Sequence, residues 1–377
     1  MRDKVDTLDL LILQPTSFCN IDCSYCYLPA RNDRQRMSFE TVKAICRALI
    51  ERDLVNKTLS VVWHAGEPLV MPVSFYEEAI TYMRSMLAPA DLSFSLQTNG
   101  TLINDDWCEK FIKHNISVGV SIDGPSAYHN MHRRHRNGTG TFDQVLSGVG
   151  KLKEHSIPFS VICVLTKDSI DDPHGLFDFF EYLGPRDICF NIDEKDGINS
   201  KSSFATEASL DSFRRFYLNY FDLARVHKSK IRIRELERGL RFIVEDRALE
   251  YNSEVRPLGI ITIGHDGTVS TFSPELHGLE TDAYGKFVFG NVHSPDSITQ
   301  MMQSDVFQRV WDDITSGVEA CRRECSFFDV CGGGSPANKL AENSSFASTR
   351  SVACAFGVRG LAAATIDHVR TAAQFQE

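Results

Sequence analysis

Three cysteines near the start of the chain, Cys19, Cys23 and Cys26, have the type and spacing to hold a metal centre. A [4Fe–4S] cube wants one thiolate for each iron, so three thiolates leave one iron with an open position. A small chelating molecule can bind there and be reduced. Zinc is the competing occupant, but it takes four ligands and favours C-x2-4-C pairs answered by a distant second pair.

A second set lies towards the other end: Cys321-x3-Cys325-x5-Cys331, then Cys354. Four thiolates close a cube, which cannot then bind substrate and is left with electron transfer. Gly332-Gly333-Gly334 follows at once, and glycine lets backbone approach a bulky inorganic centre. A zinc knuckle is the alternative. Cys46, Cys108, Cys163 and Cys189 fall inside expected helices and strands and read as buried structural thiols. Eleven cysteines, with a charged segment at 1–6 lacking the apolar core of a signal peptide, point to metal or redox chemistry in the cytoplasm.

Other candidates are carboxylates and a basic run. Asp193 and Glu194 end an expected strand, and Glu275 follows an expected hairpin. Each could take a proton or hold a substrate, and each could simply cap a turn. His64 reads as a packed or hydrogen-bonded histidine. The run His129-Asn130-Met131-His132-Arg133-Arg134-His135-Arg136 is either a solvated loop or an anion-handling one. The net charge of −10 excludes nucleic-acid binding through a global positive field. No run of apolar residues approaches the ~20 of a membrane span.

The first half of the chain supplies a frame for these groups. Strand-like segments at 8–14, 59–63, 92–97, 117–122, 159–165 and 187–192 alternate with helix-like ones at 39–52, 74–86, 105–114, 141–154 and 175–183. Such alternation predicts a parallel sheet covered by helices. Six units fit an incomplete, curved barrel better than a closed eightfold one. The expected fold class is α/β, a partial (β/α)6 barrel with a C-terminal cysteine-bearing extension. Ligands collect at the C-terminal strand ends of such folds, where both Cys19 and Asp193 are expected. A polar stretch at 193–209 and a charged helical stretch from 210 to about 251 lead to a hairpin at 260–272 around Asp266-Gly267. The expected division is 1–200 for the barrel core, 201–255 for a helical linker and 256–377 for the extension, with a helical tail at 359–375.

On these residues, the sequence resembles the radical S-adenosylmethionine (SAM) superfamily over 8–195. Cys19-Asn20-Ile21-Asp22-Cys23-Ser24-Tyr25-Cys26 is similar to its cluster signature. Trp63-His64-Ala65-Gly66-Glu67-Pro68 resembles its G-G-E-P segment, with Ala65 replacing the first glycine. Gln97-Thr98-Asn99-Gly100 and Ser121-Ile122-Asp123-Gly124 end the third and fourth strands, in family order. The resemblance implies a [4Fe–4S] cluster on Cys19, Cys23 and Cys26 whose open iron binds SAM. Tyr25 would lie near the adenine. Gly66 and Glu67 would meet the SAM amino group, Thr98, Asn99, Ser121 and Asp123 would line the pocket, and Arg133 would meet the carboxylate. Reductive cleavage of SAM would give a 5′-deoxyadenosyl radical that takes hydrogen from unactivated carbon.

The C-terminal segment resembles the iron–sulfur SPASM extension of radical SAM enzymes that modify peptides and proteins. It departs from that pattern, because 260–277 has no cysteine and Ser335 stands where one is expected after Cys331. The resemblance therefore implies one auxiliary [4Fe–4S] cluster, on Cys321, Cys325, Cys331 and Cys354, in a SPASM- or twitch-like extension. The segments around Phe190–Glu194, Thr271–Leu276 and Cys331–Lys339 are together similar to cyclophane-forming peptide maturases, which join an aromatic ring carbon to the Cβ of a nearby residue. That implies a ribosomal precursor peptide as partner, an electron donor such as flavodoxin or ferredoxin, and neither nucleic acid nor membrane. Asp193, Glu194 or Glu275 would take the ring proton. The enzyme alternative is a sulfatase-maturing type, which oxidises Cys or Ser to formylglycine and carries both auxiliary clusters. The non-enzyme alternative is a zinc-stabilised binding module. No separate winged-helix precursor-recognition domain is evident at either end.

Overall fold

A computed structural model describes residues 8–204, 207–244 and 252–374. The charged segment at 1–6, the end of the helical stretch expected to reach about 251, and residue 375 lie outside them. Six strands pair in chain order, all parallel: β1 (Leu10–Leu13), β2 (Thr58–Trp63), β3 (Asp91–Thr98), β4 (Ile116–Ser121), β5 (Phe159–Leu165) and β6 (Asp187–Ile192). In β5 the alternate residues Phe159, Val161, Cys163 and Leu165 are buried, as the two-residue strand period dictates. Helices Phe39–Glu51, Val73–Met86, Asp105–His114, Phe142–Glu154 and Pro173–Leu183 make the crossovers. Helical crossovers between parallel strands bring all six C-terminal ends to one edge of the sheet. Short polar side chains fix the helix starts: Ser38, Asn104 and Asp172 accept from the backbone N–H groups of Thr41, Trp107 and Gly175.

The expected hairpin forms, and it continues the barrel sheet. Strand β7 (Arg232–Ile233) extends one edge beside β6. Strands β8 (Ile260–Ile263) and β9 (Thr268–Thr271) join at the other, with Leu10 opposite Ile260. Gly267 takes φ +82° in the turn, a value glycine reaches without strain. One open sheet therefore runs across the expected boundaries at 200 and 256. Helix Glu207–Val226 closes over β6 through Phe213, Phe216, Tyr217 and Tyr220, all buried, with Tyr220 and Phe190 ring centroids 4.9 Å apart. Rings of this size each contribute about 1.5–3 kcal/mol by burial.

The basic run, left open as a solvated or an anion-handling loop, begins within a helix, Ser126–His132, and buries His129 and Arg133 while Met131, Arg134 and Arg136 stay exposed. The helical run Val352–Gln374 is long and apolar enough, by length and composition, to cross a membrane, which the sequence reading did not register. Phe356, Gly360, Leu361 and Ala364 on it are buried, Phe356 against Phe204 and Phe213. Cys46, Cys108, Cys163 and Cys189 are buried in helices and strands.

Candidate functional site

The loop after β1 carries Cys19, Cys23 and Cys26, and charged side chains hold it in place. Arg31 donates to the Cys23 carbonyl at 2.9 Å and pairs with Asp22. Arg136 donates to the carbonyls of Cys19 and Arg31. The former basic loop is thus a clamp: backbone bonds from Asp22 to Arg134 and from Ser24 to His132 complete it. Burial, then the charge of Glu67, pushes the Cys19 thiol up to about 12. Burial raises Cys23 to about 12 against the opposing pull of Arg133. Such thiols become thiolates when a metal centre binds them. Asn99 Nδ2 lies 3.7 Å from Cys19 Sγ, and Arg133 Nη1 4.0 Å from Cys23 Sγ.

Gly66 and Glu67 follow β2, Thr98 and Asn99 end β3, Ser121 and Asp123 end β4, Tyr25 lies on the cysteine loop and Arg133 follows the helix Ser126–His132. Ala65 and Gly66 take φ +70° and +59° in the turn after β2. A Cβ on Gly66 would lie 2.5 Å from the Thr16 carbonyl oxygen, so only glycine fits this approach. Glu67 is buried and accepts from Leu69 N–H (2.9 Å), Thr98 Oγ1 (2.7 Å) and Asn99 N–H (2.7 Å). Burial raises it to about 7 against those three hydrogen bonds. Ser121 accepts from Gln97. Asp123 and Arg133 form a buried two-point pair, 3.0 Å on each contact, and the Tyr25 hydroxyl also donates to Asp123. Burial raises the Asp123 carboxyl, but Arg133 more than offsets it, so the group sits below the usual carboxylate range. His132, which the sequence reading did not single out, lies 5.4 Å from the Tyr25 ring, and its Nε2 is buried with no partner among the described residues. That orphaned nitrogen beside Tyr25 fits a polar ligand there.

Cys321 and Cys325 close the helix Asp305–Glu324, Cys331 ends a short helix, and Cys354 opens the final helical run. All four line one cavity of about 490 Å³. Gly332, Gly333 and Gly334 take φ of +63°, +110° and +76°, turning the chain around it. Burial raises Cys331 and Cys354, and the neighbouring thiols add to the effect. The four therefore feel one another's charge. Four thiols lining one cavity are the ligand number that a closed [4Fe–4S] cube takes. Lys339 donates to Cys321 Sγ and Arg359 to Cys325 Sγ, both at 3.5 Å.

Carboxylates follow β6 and β9, Asp196 buried and Asp193, Glu194 and Glu275 half-buried. Asp193 is spent locally, accepting from Ser203 N–H and Asn199, which is the turn-capping role. Glu194 instead lines the C-terminal cavity and accepts from Asn338 at 2.8 Å. Burial pushes Glu194 up to about 7; burial and then the charge of Glu194 do the same for Asp196. Burial, then Asp196 and Glu254, raises Glu275 well above its ordinary value. Glu275 and Asp196 also act on Tyr27, directly after Cys26, whose hydroxyl burial raises. His64 is a half-buried neighbour, its Nδ1 3.5 Å from the Tyr27 hydroxyl, and burial lowers it to about 4. Asp196, Glu254, Tyr27, Lys339 and Arg359 were missed by sequence reasoning. Three of them had a positional signal: Asp196 stands four residues past the end of β6, Tyr27 directly follows Cys26, and Lys339 ends the segment that begins at Cys331.

The model described as the radical SAM superfamily matches residues 13–180. An uncharacterised protein of Synechocystis sp. is 38% identical over 363 residues, covering 95% of this chain and 91% of its own length. A serine-type anaerobic sulfatase-maturating enzyme of Bacteroides thetaiotaomicron is 27% identical over 348 residues, 86% of this chain and 81% of its own. A solved structure described as native anSMEcpe with bound AdoMet and Cp18Cys peptide superposes with a TM-score of 0.75 at 20% identity, covering 98% of this chain and 100% of that one.

Proposed function

The chain belongs to the radical SAM superfamily, and from that premise we propose that it modifies a ribosomal precursor peptide by joining an aromatic ring carbon to a side-chain Cβ. Cys19, Cys23 and Cys26 would hold the SAM-binding [4Fe–4S] cluster, with SAM among Tyr25, Gly66, Glu67, Thr98, Asn99, Ser121, Asp123 and Arg133. Cys321, Cys325, Cys331 and Cys354 would hold a second cluster. When bound, SAM and its cluster supply a hydrogen-abstracting radical, and the second cluster supplies a one-electron acceptor.

The observation that carries this reading is the carboxylate group between the two cysteine sets. Ring-to-carbon joining removes two hydrogens and needs a hydrogen acceptor, a proton acceptor and an electron acceptor around one peptide. Glu194 would take the ring proton. Asn338 fixes its Oε2, it lines the cavity of the C-terminal cysteines, and burial brings it near neutral pH, where a general base works best. Glu275, Asp196 and Tyr27, close enough to feel one another's charge beside Cys26, would line the path of the peptide. The Asp123–Arg133 pair keeps the cysteine loop fixed while the peptide is bound. Co-expression with the precursor peptide encoded beside the gene tests the reading by mass spectrometry. A product two hydrogens lighter with a ring-to-Cβ bond in its fragment spectrum is the expected result; an unaltered peptide counts against it.

The similarity to a sulfatase-maturating enzyme over most of the chain favours a second reading, oxidation of Ser or Cys to formylglycine. Ser273 and Ser335, 3.3 Å apart with Glu254 on Ser273, supply no thiolates where a further cluster would need them. Iron content separates the readings: about eight irons per chain for two cubes against about twelve for three.

A further inference from the structure

Resting on the reading that Cys321, Cys325, Cys331 and Cys354 hold a [4Fe–4S] cluster, we propose that Lys339 and Arg359 are its built-in counter-charges, positioning residues that raise its reduction potential.

Lys339 sits on the helix Pro336–Asn343 and is only 6% exposed. A lysine that deep is almost never found without a partner, because an unpaired buried ammonium is too costly. Its partner here is a thiol sulfur: Nζ donates to Cys321 Sγ at 3.5 Å. Room for the ammonium depends on Gly317, where a Cβ would lie 3.2 Å from Nζ and 2.2 Å from the Phe346 carbonyl oxygen. Arg359 comes from the final helical run and meets a different sulfur, Nη2 donating to Cys325 Sγ at 3.5 Å. Its Nε is buried with no partner among the described residues, a donor still lacking its acceptor.

The charges then balance. A [4Fe–4S] core of charge 2+ on four thiolates carries −2, and Lys339 with Arg359 brings +2. Taking one electron makes the cluster −3, a state that two adjacent cations stabilise more than the −2 state. Net charge and hydrogen bonds to the sulfurs are the levers that set such potentials. The electron comes from the peptide radical as the ring regains aromaticity, and the ring proton goes to Glu194. A raised potential is what an electron acceptor at this step requires.

The test uses the full chain with Cys19→Ala, Cys23→Ala and Cys26→Ala, so that one cluster remains. Iron assay and EPR-monitored redox titration are read on this parent, on Lys339→Met, on Lys339→Arg and on Arg359→Met. The parent should hold about four irons, one cube. Lys339→Met should keep its iron while its reduced fraction at a fixed potential falls at least tenfold, 59 mV for a one-electron couple. Lys339→Arg should restore the parent value, and Arg359→Met should shift in the same direction as Lys339→Met. Retained iron with an unchanged potential in Lys339→Met or Arg359→Met overturns the proposal. Should Lys339→Met lose its iron, Arg359→Met decides alone by the same criterion. A parent without iron removes instead the reading on which the proposal rests.

Discussion

Replacing Asp123 by alanine should loosen the cysteine loop by several kcal/mol, and the size follows from what the carboxylate holds. Its oxygens accept two bonds from Arg133 at 3.0 Å, one from the Tyr25 hydroxyl and one from Val164 N–H at 3.0 Å. The side chains of the pair are 8% and 2% exposed, so solvent screening offers little relief. Removing one partner of such a buried pair costs about 3–5 kcal/mol, since the guanidinium is left without a counter-charge. Asp123→Ala/Arg133→Met removes both charges together and should recover about half, a coupling of ~2 kcal/mol. Urea unfolding of the metal-free chain, followed by tryptophan fluorescence for the parent and three variants, measures the cycle. Iron uptake after reconstitution should fall in Asp123→Ala, because Arg133 is no longer held beside Cys23. A cost below about 1 kcal/mol in Asp123→Ala, or strict additivity in the double variant, would refute the argument that this pair anchors the loop.

Three further outcomes follow from the same geometry. Gly66→Ala should abolish SAM binding measured by calorimetry, because its Cβ would meet the Thr16 and Phe18 carbonyl oxygens at 2.5 and 2.6 Å with φ at +59°; tight binding in this variant would contradict the close approach. Glu194→Gln should lower the crosslinking rate about 10²–10⁴-fold and flatten a pH profile that in the parent rises through about 7, as the carboxylate ionises. On going from pH 5 to pH 8.5 the metal-free chain should lose more thermal stability than its Glu67→Gln variant, a comparison in which His64, His129 and His277, lowered to about 4 by burial and acting with the opposite sign, cancel. Glu67 is raised in the fold from 4.5 to about 7, so its contribution is fully present below 4.5 and lost as pH rises through 7. That shift is worth about 3 kcal/mol at one sign only, and Glu194 and Asp196 act in the same direction.

The barrel was legible because its signal is local and repeated. Strands such as β3 and β5 bury alternate residues, and the helices after Ser38, Asn104 and Asp172 open with a short polar cap. The cysteines were legible because a cluster loop compresses its ligands into a short stretch. What escaped was whatever the tertiary fold alone makes significant. Lys339 looks like the polar face of an amphipathic helix until Cys321, 18 residues away, is packed against it. The resemblance singled out both Asp123 and Arg133, but not that the two pair with each other in a buried two-point contact. Asp193 and Glu194 are neighbours of one type, so sequence could not separate them. The structure does, since backbone donors of the following loop use Asp193 while Glu194 turns to Asn338.

The two serines carry the argument about cluster number further than the missing cysteines do. A lost pair of ligands could leave a void, which costs stability in proportion to its volume. Here Ser273 Oγ instead donates to Glu254 at 2.8 Å, lies 3.3 Å from Ser335 Oγ and accepts from Ala337 N–H at 3.4 Å. Asn252 ties the neighbouring chain down through the carbonyls of Cys331 and Gly334. The hydroxyls thus bind the hairpin to the glycine turn by hydrogen bonds, and those bonds also fix Gly333, Gly334 and Asn338 in the wall of the remaining cysteine cavity. The hydroxyls thereby form a polar brace that reaches Glu194 through Asn338 at the edge of the cysteine cavity. Under the proposed function, cluster number and the identity of the proton acceptor would then be one feature of the chain.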